Sequence, residues 1–260
     1  MIKLEHVVLA SPEQMEFIIQ GMRNPMNSHD RSDSESYSTL YSQPDYNEEY
    51  HVNDQGYFET DFHLGDNDHD LMQRLSNAGT EHRKYLRMMP VYVRITAPLY
   101  WWKEFSTYKV GTVANSSSTM HKIHAKEFTL EDFSTEHLMD FAEGYSEDDD
   151  LIVRMSVDSP KKVLLHTIEA LNYYREMYLH TKVKPMKDES KRAELMKKYW
   201  WQMIQLLPSS YNYIRNVMMN YEVLANIYKS RRGHKLTEWR DFCKWIESLP
   251  YSELITGEEK

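Results

Sequence analysis

The sequence predicts a helix-rich α/β (α+β) protein, and three features carry that expectation. Glycine is scarce, with 8 in 260 residues, while tyrosine and tryptophan are abundant at 19 and 6. The C-terminal half holds long stretches with apolar residues at helical spacing. Two shorter runs, residues 2–10 and 88–96, alternate as strands do. A chain of this length can bury a substantial core, and the expectation is a single domain over residues 1–260.

Composition narrows the function classes. A formal net charge of -9 argues against coating a nucleic-acid polymer, although it leaves room for a local basic pocket. Cys243 is the single cysteine, so neither an intrachain disulfide nor a thiolate cluster is expected. No apolar run reaches the ~18 residues of a membrane span, and no basic-then-apolar leader opens the chain. Together these suggest a cytoplasmic protein with no membrane partner.

In chain order, residues 2–10 read as a strand. Ser11 is a good N-cap for a helix to about Met22, with Pro12 at its first position. Residues 24–66, rich in Ser, Asp, Asn, Tyr and His, read as a long irregular loop with one short helix. A helix over 68–78 ends at Gly79, and His82-Arg83-Lys84 is either a polar turn or a set of anion donors. The strand 88–96 then leads into residues 97–123, APLYWWKEFSTYKVGTVANSSSTMHKI.

This stretch opens as a short helix started by Pro98. Thr107, Tyr108 and Lys109 present a hydroxyl, a phenol and an ammonium, and Gly111 lets the backbone turn sharply. The polar residues 112–119 read as a loop, either plain surface or a ligand loop whose N–H and hydroxyl groups meet anionic oxygens. Residues 128–150 are acidic, and the charge run 147–150 is most simply solvated. A helix over 159–182 carries the stripe Leu164, Ile168, Leu171, Tyr174/Arg175 and Tyr178. Helices over 190–206, 211–231 and 237–247 follow, then a loose tail over 257–260.

On a helix over 211–231, Asn220 and Arg231 lie about three turns apart on nearly one side, with Asn226 roughly 120° away. They either meet a ligand or serve as caps and solvated positions. The basic cluster Lys229, Arg231, Arg232, His234 and Lys235 suits a helix C-terminus as well as a phosphate. His63, His69 and the aspartates at 66, 68 and 70 match no metal-ligand spacing, so no metal is expected. Cys243 alternates with Phe242, Trp245 and Ile246 and reads as buried rather than nucleophilic.

Taken together, these two sets resemble the flavin-dependent thymidylate synthases, with gaps, from about residue 68 to 245. That family's signature is Arg-His-Arg, two residues, Ser, one residue, Asn-Glu, one residue, Ser, one residue, Arg. Thr107-Tyr108-Lys109 fall at Arg-His-Arg, Thr112 at the first serine, Ala114-Asn115 at Asn-Glu, Ser117 at the second serine and Thr119 at the last arginine. A shift of one residue matches Asn115 to Asn and Ser118 to the second serine instead. The glutamine before the signature falls at Glu104. The C-terminal stretch from Leu206-Leu207-Pro208 to Phe242 resembles the family's leucine-proline junction, arginine and final helix.

The resemblance implies a helix-rich domain around a twisted mixed sheet, assembled as a homotetramer with active sites built from several subunits. It implies FAD as cofactor, with NADPH and methylenetetrahydrofolate as co-substrates and dUMP or a related pyrimidine nucleotide as acceptor. Asn220 and Asn226 fall on flavin-contacting asparagines, joined by His82, Arg83, Thr107, Tyr108, Lys109 and Thr112. Glu104, Asn115, Ser117, Thr119 and Arg231 fall on nucleotide positions, and Ser117 or Ser118 on the catalytic serine. A second nucleotide arginine falls at Ile204. Two readings follow: a divergent flavin enzyme transferring one carbon to a pyrimidine nucleotide, and a non-catalytic nucleotide- or flavin-binding homologue.

Overall fold

The computed structural model describes residues 2–41, 57–140 and 158–257. The acidic run 147–150 therefore lies outside the described residues. The chain divides into two compact units. The first comprises residues 1–3, 95–107 and 115–215; the second comprises 4–94, 108–114 and 216–260. A four-stranded sheet has the order β1-β4-β6-β5, where β1 is Lys3–Val8, β4 Pro90–Pro98, β5 Val113–Ser116 and β6 Asn212–Asn220. The helix-rich α/β expectation is met.

In the second unit, Pro12–Arg23 forms a helix for the reason the sequence suggests. The Ser11 hydroxyl oxygen accepts a hydrogen bond from the Gln14 backbone N–H, and the Gln14 side-chain oxygen accepts one from the Ser11 N–H. Its face Met15, Ile18, Ile19 and Met22 is buried. Asp66–Asn77 is a helix that buries Leu71 and Met72, and the Tyr85 hydroxyl donates to the Met72 carbonyl at 2.7 Å. Arg23 and Asp68 form a buried ion pair.

The described residues of this range, 24–41 and 57–66, are more regular than the sequence suggests. β2, Glu35–Tyr41, and β3, Tyr57–His63, pair antiparallel from Glu35 against His63 to Tyr41 against Tyr57. Their alternation is hard to see because Ser, Thr, Asp and Glu occupy many of the positions, so polarity hides the period of two.

In the first unit, Pro160–Val183 and Glu189–Leu206 are the long helices. Ser159 and Asp188 cap their N-termini by accepting from Lys162 and Lys191. Leu164, Ile168 and Leu171 of the expected stripe are buried with Ile123, Phe128, Phe133 and Met203, and Tyr174 and Tyr178 pack against that cluster.

The main correction concerns residues 211–231, expected as one helix. The stretch is a strand, β6, followed by the helix Tyr221–Arg231. In β6, Val217 and Met219 are buried while Asn216 is exposed, a period of two that a short apolar-aromatic run blurs. Asn220 sits at the join with extended φ and ψ of -139° and 170°, and its side-chain oxygen accepts from the Val223 N–H at 3.0 Å. Asn220 is thus a helix cap, not a member of a helical face shared with Arg231. Residues 112–119 are likewise not all loop, because Val113–Ser116 is strand and Thr119–Lys122 a short helix.

Candidate functional site

The residues marked by the sequence fall into two sets, one per unit. In the second unit, the turn 108–114 meets the start of the helix Tyr221–Arg231. Gly111 has a φ of +76°, open to glycine at little cost, and a Cβ there would come within 3.1 Å of both the Asn220 amide nitrogen and Val223. The turn therefore approaches the helix cap as closely as a backbone can. Beside it the Thr112 hydroxyl is buried with no hydrogen-bond partner.

Arg231 ends this helix. Its Nε donates to the Tyr108 hydroxyl at 3.0 Å, and its guanidinium carbon lies 4.9 Å from the Trp239 ring centre. The Tyr108 and Trp239 rings meet edge-on at 6.0 Å. The Tyr108 and Trp239 rings and the Tyr108 hydrogen bond help to hold a planar fork in place. Lys109 and His82 are exposed. Arg83 is less available: it pairs with Glu222 at 2.8 Å and donates to the Asn226 side-chain oxygen at 3.3 Å. Arg83 and Asn226 are brought together directly, but the Glu222 carboxylate already pairs with the arginine.

In the first unit, the helix Leu99–Phe105 buries Trp101, Trp102 and Phe105. The Thr107 hydroxyl donates to the Glu104 carbonyl at 2.8 Å, so at the signature's first position a threonine finishes a helix. Ser118 caps the short helix by accepting from the His121 N–H at 3.1 Å. The Ser117 N–H donates to the Ile214 carbonyl at 3.0 Å, and the Tyr213 hydroxyl donates to the Ser117 carbonyl. Asn115 and Ser117 are exposed and Thr119 is half-buried. Ile204 packs on the apolar cluster, so no cation can arise at that position.

Arg215 is the residue that sequence reasoning missed. Its guanidinium carbon lies 4.5 Å from the Trp102 ring centre and 5.3 Å from that of Tyr213. Its Nε is buried with no hydrogen-bond partner. An unsatisfied buried donor of this kind costs about 1–3 kcal/mol. Burial pulls the guanidinium below its ordinary range, partly offset by the Tyr213 phenol. The signal was the Tyr-x-Arg spacing, which places both side chains on one face, but only once residues 212–220 are read as strand.

The whole chain matches solved structures of known proteins. Thymidylate synthase X from Helicobacter pylori, solved with FAD and dUMP, is 16% identical with a TM-score of 0.55, and the match covers 98% of this chain and 97% of that one. A second structure of the Helicobacter pylori enzyme with FAD and dUMP covers 100% and 99% at the same identity and score. The fold is that of the flavin-dependent thymidylate synthases. A UMP/dUMP methylase, PolB, from Streptomyces cacaoi bound with 5-Br dUMP is 14% identical, with a TM-score of 0.54 over 98% and 95% of the two chains. No family model matches this sequence, and no curated protein matches it either. A flavin-dependent thymidylate synthase fold thus persists here, with Thr107, Ile204 and Thr119 where the resemblance expects arginines.

Proposed function

We propose that this chain is a divergent flavin-dependent enzyme that transfers a one-carbon unit from methylenetetrahydrofolate to dUMP or a related pyrimidine nucleotide. The observation that carries the reading is the match over nearly the full length of both chains to structures solved with FAD and dUMP. The residues present fit a polar ligand. The Thr112 hydroxyl is buried and orphaned, and Gly111 lets the backbone beside it pack closely against Asn220 and Val223. The flavin, reduced by NADPH, would supply the redox chemistry of the transfer.

The chain's own residues have narrower tasks. Thr112 and Asn220 offer a hydroxyl and an amide to the cofactor, with Tyr108, Lys109 and His82 nearby in sequence or fold. Arg231 offers its planar fork to the nucleotide. Within the first unit, Ser117 presents an exposed hydroxyl from a backbone pinned to β6, and Asn115, Thr119 and Glu104 are its further nucleotide candidates. Val110, 91% exposed, and Val113 offer apolar surface beside these residues, as expected if a homotetramer builds its sites from several subunits. The cytoplasm is the proposed compartment.

The purified protein should be yellow, release FAD on denaturation and change its flavin spectrum when dUMP is added. With methylenetetrahydrofolate and NADPH it should convert dUMP to a methylated product. A colourless protein that neither quenches added flavin nor binds dUMP overturns the reading. The second reading, a non-catalytic homologue, draws on Thr107 and Ile204, whose side chains serve the helix end and the apolar cluster. Binding of FAD and dUMP without product formation would favour it.

A further inference from the structure

We propose that Arg215, seated on Trp102 and Tyr213, is an anion-binding residue of this protein that takes the phosphate monoester of the nucleotide. The inference rests on the nucleotide-enzyme reading and adds a residue to it that the signature does not contain.

Four observations converge. The guanidinium rests on two aromatic rings, 4.5 Å from the centre of one and 5.3 Å from the other, which holds its plane without using its donors. Its Nε is buried and donates to nothing, and among the described residues no carboxylate forms an ion pair with it. A guanidinium with fixed orientation and unspent donors is matched by a planar or tetrahedral oxyanion, which accepts two parallel N–H bonds. The third observation is the neighbouring segment. The Ser117 N–H is bonded to Ile214, next to Arg215, and the Tyr213 hydroxyl is bonded to the Ser117 carbonyl. The ring that supports the arginine therefore also holds the polar segment 115–118, whose residues are exposed. Fourth, Ile204, where the resemblance expects an arginine, packs on the apolar cluster and supplies no cation.

Hydroxyls on residues 116–118 add neutral donors beside a single cation. That combination suits a dianionic phosphate better than a carboxylate, which has fewer oxygens to share. The phosphate could be that of a nucleotide or free inorganic phosphate, and the test separates them.

The test uses the full-length protein as purified. Calorimetry with dUMP, deoxyuridine and inorganic phosphate is run on the wild type, R215K and R215M, with thermal melts to check folding. The Arg215 Nε–H is followed by NMR and assigned by its loss in R215K. dUMP affinity should fall about 10-fold to 100-fold in R215M, the range expected for a charge-assisted bond. R215K should lie between, because lysine keeps the charge but not the fork. Deoxyuridine binding should be the same in all three proteins, and the Nε–H resonance should move with dUMP. A shift with phosphate but not with dUMP assigns the site to free phosphate and overturns the nucleotide role. If the wild type binds FAD and dUMP and R215M binds dUMP equally well, the role of Arg215 fails while the proposed function stands. If the wild type binds neither FAD nor dUMP yet the resonance moves with inorganic phosphate, the proposed function fails while the anion site stands. A resonance unmoved by both probes overturns the site.

Discussion

Arg23 is buried and Arg215 is half-buried with its Nε out of water, and they are treated in opposite ways. Arg23, in the second unit, is 3% exposed and spends its donors inside the protein. Its Nε meets Asp68, and its terminal nitrogen reaches the Ser28 carbonyl and hydroxyl at 3.3 Å. Asp68 is in turn filled by the Ser32 and Ser34 hydroxyls and the Asp33 and Ser34 N–H groups. Arg215, in the first unit, has two aromatic rings and no partner for its Nε. A guanidinium that folding needs is fully paired, because an unpaired buried charge is costly. One left open at that cost is in the state expected of a ligand contact. Arg231 lies between the two, stacked on Trp239 but tied to Tyr108.

Substitutions that break each arrangement should differ in kind as well as size. The largest stability loss is expected for Asp68→Asn, which leaves Arg23 buried without its counter-charge. Chemical denaturation should show a drop of about 3–5 kcal/mol. The same carboxyl gives a pH signature. Burial opposes its ionisation, but hydrogen bonds from Ser34, Ser32, Arg23 and Asp33 outweigh that and hold its pKa below the usual carboxylate range. Its contribution is therefore complete above the unfolded pKa of about 4 and is lost as pH falls through the lower folded value. Asp68→Asn should lose that acid-side decline, and an unchanged profile would remove Asp68 from the account.

Next in size is Arg231→Ala. It should weaken dUMP binding by about 100-fold in calorimetry, since it removes both a charge and a fork. Binding equal to the wild type would reduce Arg231 to a structural aromatic clamp. Gly111→Ala should cost about 1–3 kcal/mol by thermal melt, from a positive φ and from crowding against Asn220 and Val223. Flavin affinity should fall with it.

Arg215→Met should leave stability unchanged or raise it by about 1 kcal/mol, because it deletes an unsatisfied donor and keeps apolar bulk on the rings. A loss as large as that of Asp68→Asn would erase the contrast between the two arginines. The smallest effect concerns Cys243. Burial first, then the Glu247 charge, pushes its thiol up to about 11. Alkylation of the native protein at neutral pH should be far slower than after denaturation.

The sequence alone determined the pieces whose signals are local. Ser11-Pro12 and Ser159-Pro160 mark helix starts, because a cap needs only its own side chain and the next turn. The stripe Leu164, Ile168 and Leu171 marks a buried face, because helical period survives in a long segment. Gly111 marks a turn, and the signature-like spacing after Phe105 located the segment beside the candidate site. Tertiary structure decided the rest. The helix or strand choice over residues 212–220 was settled by partners in the sheet, since a run of nine residues carries too few periods to separate two from 3.6. That choice took Asn220 off a helical face shared with Arg231, made it the cap of the next helix, and placed Arg215 on the face of Tyr213. Arg83 looked like an anion donor until Glu222, 139 positions along the chain, was found beside it. Whether a cation is spent or open depends on neighbours brought in from distant sequence, and no local pattern encodes them.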